Sequence, residues 1–155
     1  MTTSKNGLTF IKELEGTKLV VYLDSAGRPT IGTGHLIKPG ESFPNGITME
    51  ENDTILVEDV KEVEKGLIYL RLNQNQYDSL VSFGFNLGLG SLKQLLSHGL
   101  DQIPVQILKW NHAGGRESKG LTARRIAEKN LYLTEGEPDI LGIIEAARKE
   151  SDDLA

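Results

Sequence analysis

The sequence contains no cysteine, which excludes disulfide scaffolds, thiolate metal sites and cysteine nucleophiles. Histidine is also scarce, and with only three of them a multi-histidine metal site is not expected. Basic residues are too few for a typical nucleic-acid-binding protein, because 17 Lys and Arg against 22 Asp and Glu give a formal charge of -5. No apolar run approaches the roughly 18 residues that a membrane-spanning helix requires. We therefore expect no cofactor, no bound metal, no nucleic-acid partner and no insertion into a membrane.

The composition is that of an ordinary globular protein, with 38% hydrophobic and 25% charged residues in a chain of 155. A chain of this length buries roughly 70% of its unfolded surface and forms one domain, or one domain in two lobes. The first 15 residues lack the basic start, apolar core and small-residue cleavage site of a secretory signal. We expect a monomer that is made in a cytoplasm and needs another agent to release it if it acts outside.

Hydrophobic spacing predicts a short helix and then a hairpin in the first third of the chain. An apolar stripe with i, i+3, i+6 spacing over residues 7–14 is typical of one helix face, with Thr3 or Ser4 as the cap. Residues 19–24 and 30–34 are rich in β-branched side chains and enclose a glycine-containing turn. That pattern predicts two antiparallel strands.

The remainder of the chain is predicted to be mostly helical. Residues 38–47 hold two prolines and two glycines and predict a loop, with a short third strand as an option. Thr48 and Glu51 fit a capping box that begins a helix running to about Leu70. Further helices are expected at 74–87, 91–98, 103–111, 121–133 and 139–150, with a glycine-rich break at 112–120. This order predicts an α+β fold with a small sheet lobe and a larger helical lobe.

Three residues of the first third form a candidate catalytic set. Glu15 ends the first helix, Asp24 enters the hairpin turn and Thr30 begins the second strand. A hairpin that folds back on the helix end could bring them to one cleft. Two carboxylates there suit glycoside hydrolysis, in which one donates a proton to the leaving oxygen and the other activates water or acts as a nucleophile. Spacing alone is a weak signal, because most acidic residues are surface solubilisers.

The same segment belongs to the first of three motifs that occur in order. A Glu-Gly pair is followed nine residues after the Glu by an Asp and six residues later by the Thr of a Thr-Ile-Gly-x-Gly-His string. The other motifs are QYDSLVSFGFNLGLGSL (76–92) and WNHAGGRESKGLTARRIAEKNLY (110–132). Together they resemble the motifs of the phage-type lysozymes, the endolysins that hydrolyse bacterial peptidoglycan. The matching residues of the first motif are Glu15, Gly16, Asp24, Thr30, Ile31, Gly32, Gly34 and His35.

The resemblance implies a lysozyme-like fold with the active site between the lobes, and it implies a role for each residue of the set. Glu15 would be the general acid, Asp24 would hold or activate the attacking water, and Thr30 would help to place that water on the opposite face of the sugar. The most similar members of the family are regarded as inverting, which requires carboxyl groups roughly 6.5–9.5 Å apart. Because the acid must hold its proton near neutrality, we expect Glu15 to be partly buried.

Other residues receive supporting roles from the same resemblance. His35 invites a catalytic interpretation, but the resemblance pairs it with Asp59 in a structural ion pair. Arg124 is implied to orient the catalytic glutamate, whereas Arg125 is equally well interpreted as part of a solvated helix face. The residues implied to line the sugar cleft are Leu36 and Phe85.

The implied activity is that of an N-acetylmuramidase, which cuts the β-1,4 bond between N-acetylmuramic acid and N-acetylglucosamine in peptidoglycan. Three alternatives stay open: a lytic transglycosylase, a catalytically inactive wall-binding or scaffolding module, and a chitinase-like specificity. Residues 1–136 are predicted to form one catalytic domain in two lobes, and residues 137–155 a helical extension or tail. Since phage endolysins of this type reach the wall through a holin, we expect holin-type release.

Overall fold

The N-terminal helix α1 (Lys5–Glu15) is fixed at both ends by its sequence. The Ser4 hydroxyl caps the helix by accepting a hydrogen bond at 3.1 Å from a backbone N–H three residues further on, which decides between the two predicted caps. Gly16 ends it, because a positive φ of 75° is accessible to glycine and turns the chain away. The apolar face of α1 is buried, and its last residue, Glu15, projects beyond the packed face.

The computed structural model describes residues 1–154 and shows a three-stranded antiparallel sheet in the order β1-β2-β3. Thr30, on the central strand, pairs with Tyr22 on one side and Leu36 on the other. The third strand is real, but it precedes the 38–47 segment where it was expected. A two-residue turn after the central strand returns the chain at once, so residues 38–47 are left as loop. The strands are β1 (Lys18–Leu23), β2 (Pro29–Gly32) and β3 (His35–Leu36).

Helices make up most of the rest of the chain, as the periodicity predicted. The capping box of Thr48 and Glu51 is present at the start of the second helix. Within residues 1–154, no helix is long and apolar enough to cross a membrane. The helices are α2 (Met49–Glu64), α3 (Gln74–Leu87), α4 (Leu89–Leu96), α5 (Ile103–Gln106), α6 (Lys119–Leu133) and α7 (Ile140–Asp153), with 3-10 turns at Lys65–Leu67, Leu100–Gln102 and Ile107–Lys109.

The glycine-rich break contains a small hairpin that the sequence did not predict. Strands β4 (His112–Ala113) and β5 (Arg116–Glu117) pair antiparallel across a tight turn. Gly114 and Gly115 form that turn with φ values of 59° and 79°, which explains the pair of glycines.

Two buried clusters hold the helical lobe together. The larger one surrounds α3, whose side chains are buried on most sides, and it includes Leu80, Phe83 and Leu92. The smaller one joins α1, α6 and α7 and contains the fully or almost fully buried Phe10 and Ile144. The C-terminal helix α7 is therefore packed on the lobe through its apolar face.

Candidate active site

A cleft of about 640 Å³ opens between the sheet, the end of α1, and helices α2 and α3. The structure brings the three predicted catalytic residues, Glu15, Asp24 and Thr30, to this cleft. Leu36 and Phe85, which the resemblance places along the sugar, also line it. Glu15, Asp24 and Thr30 meet because the hairpin folds back over the helix end, whereas Phe85 reaches the cleft from α3.

Glu15 reaches the cleft from the last turn of α1 and is partly buried, with 19% of its side chain exposed. One carboxylate oxygen forms a close ion pair with the guanidinium of Arg124, which comes from α6. The two residues are 109 positions apart, so this contact exists only through the packing of α1 against α6. The implied partnership of Arg124 with Glu15 is present in the geometry.

Asp24 lies at the start of the hairpin turn, and the turn itself occupies its carboxylate. One oxygen accepts hydrogen bonds at 2.9 Å from the backbone N–H groups of Ala26 and Arg28. The other oxygen lies 3.0 Å from both Nε and Nη2 of Arg28. The backbone N–H of Arg28, with the other donors, lowers the pKa of Asp24 below its ordinary value, against a smaller opposing effect of desolvation. Asp24 is thereby held ionised.

Thr30 is almost completely buried, with 2% of its surface exposed at the floor of the cleft. Its hydroxyl donates a hydrogen bond at 2.8 Å to the backbone carbonyl of Arg28. Because the proton of the hydroxyl is used in this way, the hydroxyl oxygen can only accept further hydrogen bonds.

His35 sits between two carboxylates at the sheet edge. Its Nδ1 lies 2.7 Å from an oxygen of Asp59, the partner implied by the resemblance, and its Nε2 lies 3.0 Å from Glu41. Both ring nitrogens thus face carboxylate oxygens, an arrangement that favours the protonated ring. Burial acts to lower the pKa of His35, but the hydrogen bonds that the ring donates to Glu41 and Asp59 outweigh it and raise the pKa. The sequence did not indicate Glu41 as a partner of His35, because Glu41 lies in the loop that follows β3.

Arg125 is completely buried, so its interpretation as part of a solvated helix face is wrong. Its guanidinium donates to Asn86 at 2.8 Å, forms an ion pair with Glu128 at 2.7 Å and lies over the Phe83 ring at 5.1 Å. The reason is geometric: the face of α6 that carries this arginine packs against α3 and not against solvent.

Sequence reasoning missed three further residues that line the cleft. Tyr22 faces it from β1, Arg28 covers Asp24, and Asn86 lies at the end of α3. The pairing of Tyr22 with Thr30 across the sheet could have been read from the hairpin register. Within residues 1–154, no group of three or more His, Cys, Asp or Glu side chains is arranged to hold a metal ion.

Comparisons with known proteins show relatives of this chain in sequence and in fold. The family model for phage lysozyme matches residues 12–128. The endolysin of Salmonella phage P22 is 39% identical over 86% of this chain and 99% of its own length, and that of Bacillus phage B103 is 36% identical over 86% of this chain and 55% of its own. The chain thus spans about half of the Bacillus phage relative. A solved endolysin from Escherichia coli O157:H7 phage FAHEc1 superposes with a TM-score of 0.75 at 31% identity, over 90% of this chain and 98% of its own.

A small antiparallel sheet that faces a helical lobe across a carboxylate-bearing cleft defines a glycoside hydrolase of lysozyme-like fold. The chain belongs to the phage lysozyme family. It is a hydrolase that acts on peptidoglycan, so the predicted family, fold class and type of enzyme are confirmed.

Proposed function

We propose that the chain is an N-acetylmuramidase that cuts the β-1,4 bond between N-acetylmuramic acid and N-acetylglucosamine with inversion. The observation that carries the proposal is the pair of unlike carboxylates in one cleft. Glu15 is partly buried on the helical side, whereas Asp24 is held ionised by its own turn on the sheet side. Carboxylates in two different environments are suited to the separate roles of acid and base.

In the proposed reaction, Glu15 transfers its proton to the glycosidic oxygen as the bond from that oxygen to the anomeric carbon breaks. A water held by Asp24 and Thr30 attacks the anomeric carbon from the opposite face and passes a proton to Asp24. One water is consumed, one new reducing end forms, and both carboxylates return to their starting states when a proton moves back to Glu15 through solvent.

Of the alternatives, the lytic transglycosylase differs most clearly in its product. That reaction uses no water, because a hydroxyl of the muramic acid closes on the anomeric carbon and leaves an anhydro end. The buried Thr30 hydroxyl and the ionised Asp24 favour a reaction that uses water.

The deciding experiment is digestion of purified peptidoglycan followed by analysis of the muropeptides. We expect products with a free reducing muramic acid end and, at early times, the inverted anomer. Anhydro ends, a retained anomer or cleavage of chitin alone would each contradict the proposal.

The variant Glu15→Gln should lose about 10²–10⁴-fold in rate, the usual contribution of general acid catalysis. Its matched control is Glu13→Gln, an exposed glutamate on the same helix, which should clear the substrate normally.

We further propose that the enzyme reaches the wall when the membrane is opened by a holin-type protein. Family membership supports this route, because relatives of the chain are phage endolysins. Expression of the chain alone in a Gram-negative host should cause little lysis, and chloroform should then release rapid lysis if that wall is a substrate. Lysis without chloroform that stops when secretion is inhibited would contradict this route.

A further inference from the structure

Helix α6 places two consecutive arginines and one glutamate in the protein interior. Arg124 is 6% exposed, and Arg125 and Glu128 are not exposed at all. Buried charges are costly unless they are paired, so the arrangement of these three groups demands an explanation. One of them, Arg124, extends from the interior to Glu15 in the cleft.

Glu128 contacts both arginines with its two oxygens. One oxygen forms the ion pair with Arg125 at 2.7 Å, and the other accepts a hydrogen bond from Nε of Arg124 at 3.2 Å and from the Ser82 hydroxyl at 2.5 Å. The Arg125 contact is one of charge only, whereas Arg124 and Ser82 donate hydrogen bonds, so every charged group that contacts this carboxylate is positive. The terminal nitrogens of Arg124 then contact Glu15 and the backbone carbonyl of Ser82.

The charges of this cluster act on Glu15 through Arg124, whose guanidinium contacts it. Two guanidinium groups and one carboxylate leave a net charge of one positive unit behind Glu15. Without the Glu128 carboxylate, two positive units would face Glu15 and favour its ionised form. An ionised Glu15 cannot donate to the glycosidic oxygen.

We propose that Glu128 is a positioning residue for catalysis, whose buried carboxylate orients Arg124 and cancels one arginine charge so that Glu15 can hold its catalytic proton. This inference rests on the proposed role of Glu15 as the general acid. Glu128 does not line the cleft, so its role would be indirect. That role is distinct from its contribution to the packing of α6 against α3.

Charged and titratable groups on other elements also face Glu15. None of them contacts Glu128, so a substitution at Glu128 leaves their positions and charges as they are. Tyr22 and Asp24 face it from the sheet across the cleft, and Tyr22 has its pKa raised by burial and then by both carboxylates. Glu15 also lines a second cavity, of about 670 Å³, together with the charged residues Lys119, Arg148 and Asp152. The only charges that contact Glu128 within the described residues are the two arginines, so a change at Glu128 reports on this cluster.

The test is the pH profile of peptidoglycan clearing by folded Glu128→Gln. We expect its alkaline limb, where Glu15 loses its proton, to move to lower pH by about one pH unit, since a neighbouring charge in a partly buried site acts through an effective dielectric of about 20. The double variant Arg125→Met with Glu128→Gln restores the net charge and should return the limb toward the wild-type position. Glu135→Gln, which removes an exposed charge near the end of α6, should leave the limb unmoved.

The outcomes separate the inference from the function on which it rests. Wild-type protein that makes no muropeptides contradicts the proposed function, whereas active wild type with an unmoved limb in Glu128→Gln overturns only the role of Glu128. A lower rate with an unmoved limb would mean a purely structural residue. If Glu128→Gln does not fold, the pH profile of Arg125→Met decides: removal of one positive charge from the cluster should move the alkaline limb to higher pH, and an unmoved limb would overturn the proposal.

Discussion

At the scale of single residues, Asp24 shows how a turn can prepare a catalytic group. The carboxylate accepts two backbone hydrogen bonds and an ion pair from Arg28, which together fill the acceptor positions of both oxygens. The turn thus keeps Asp24 ionised, but a water can bind only where the exposed Arg28 side chain moves aside. Arg28 therefore controls both the charge and the accessibility of the proposed base.

Replacing Arg28 by glutamine tests that control. The substitution removes the guanidinium and keeps the backbone N–H, which is the largest cause of the lowered pKa of Asp24. The pKa of Asp24 should rise part of the way to its ordinary value. Activity that requires ionised Asp24 should then be lost at a higher pH on the acidic side, with the alkaline side unchanged. Peptidoglycan clearing across a pH series measures both limbs, and an unmoved acidic limb would contradict the role of Asp24.

Thr30 allows a sharper test, because valine has nearly the same shape. Thr30→Val keeps a β-branched side chain in β2 but removes the hydroxyl that would hold water, so we expect a large loss of turnover in a folded protein. Thr30→Ser is the matched control, since it keeps the hydroxyl and should retain much of the rate. Full activity in Thr30→Val would show that the hydroxyl has no task.

At the scale of elements, His35 joins three of them through charge. It is on β3 and contacts Glu41 in the following loop and Asp59 on α2. The sheet lobe is thereby attached to the helix on the far side of the cleft. Because the ring sits outside the proposed path of the proton, we expect a structural contribution and not a catalytic one.

We expect His35→Asn or Asp59→Asn to lower the free energy of unfolding by about 1.5–3 kcal/mol, the value of a hydrogen bond to a charged group. Folded protein should keep substantial turnover. The double variant should lose less than the sum of the two losses, as urea unfolding will show; additive losses would mean that the residues do not meet. His98→Asn, at an exposed histidine, is the control.

The pH dependence of this contact follows from the direction of each pKa. The pKa of His35 is raised in the folded state, so its contribution is complete below about pH 6.5 and is lost as pH rises through the folded pKa. The pKa of Glu41 is lowered, first by the backbone N–H of Lys38 and then by His35, so its contribution is present above about pH 4.3 and is lost as pH falls through the folded pKa. The difference in stability between wild type and His35→Asn should therefore be largest between these limits.

Close packing of α3 against α2 depends on Gly84. A Cβ at Gly84 of α3 would lie 2.4 Å from a methyl carbon of Val63 on α2, whereas a Cβ at Gly90 of α4 would meet nothing within 4 Å. Gly84→Ala should therefore destabilise the protein by about 1–3 kcal/mol through overpacking. Gly90→Ala, the matched control, should be neutral or slightly stabilising because alanine favours helix. Thermal unfolding of both variants checks the pair, and equal melting temperatures would contradict the close approach.

At the scale of the whole molecule, α7 completes the core of the helical lobe. Its buried Ile144 lies in the cluster formed with α1 and α6, whereas Leu141 on the same helix is 56% exposed. The same helix also borders the cavity behind Glu15. The C-terminal helix therefore supports the element that carries the proposed acid.

Alanine variants of Ile144 and Leu141 test whether α7 is packed against α1 and α6. Ile144→Ala should cost about 2–5 kcal/mol because it leaves a cavity between three helices. Leu141→Ala should change stability by less than about 0.5 kcal/mol, as is usual at the surface. Chemical denaturation measures both. Equal effects would mean that α7 is not docked as described.

Structural features that depend only on neighbouring residues were predictable from the sequence. The capping box at Thr48, the apolar stripe of the first helix and the turn before Thr30 each act over a few residues, so the helices and the hairpin were predictable. The motif spacing also predicted the family, which the comparisons confirmed. The local sequence did not predict the position of the third strand or the small hairpin at 112–117. Both depend on which strands pair, and local patterns do not specify that pairing.

Contacts between side chains that are distant in the sequence follow from the packing of the folded chain. Glu15 and Arg124 are 109 residues apart, and Arg125 looked like a surface residue until α6 packed its face against α3. Nothing in the local sequence distinguishes a buried arginine from an exposed one, because burial depends on which helix face the rest of the chain covers. The charge cluster around Glu128, and with it the proposed control of the acid, follows from that packing alone.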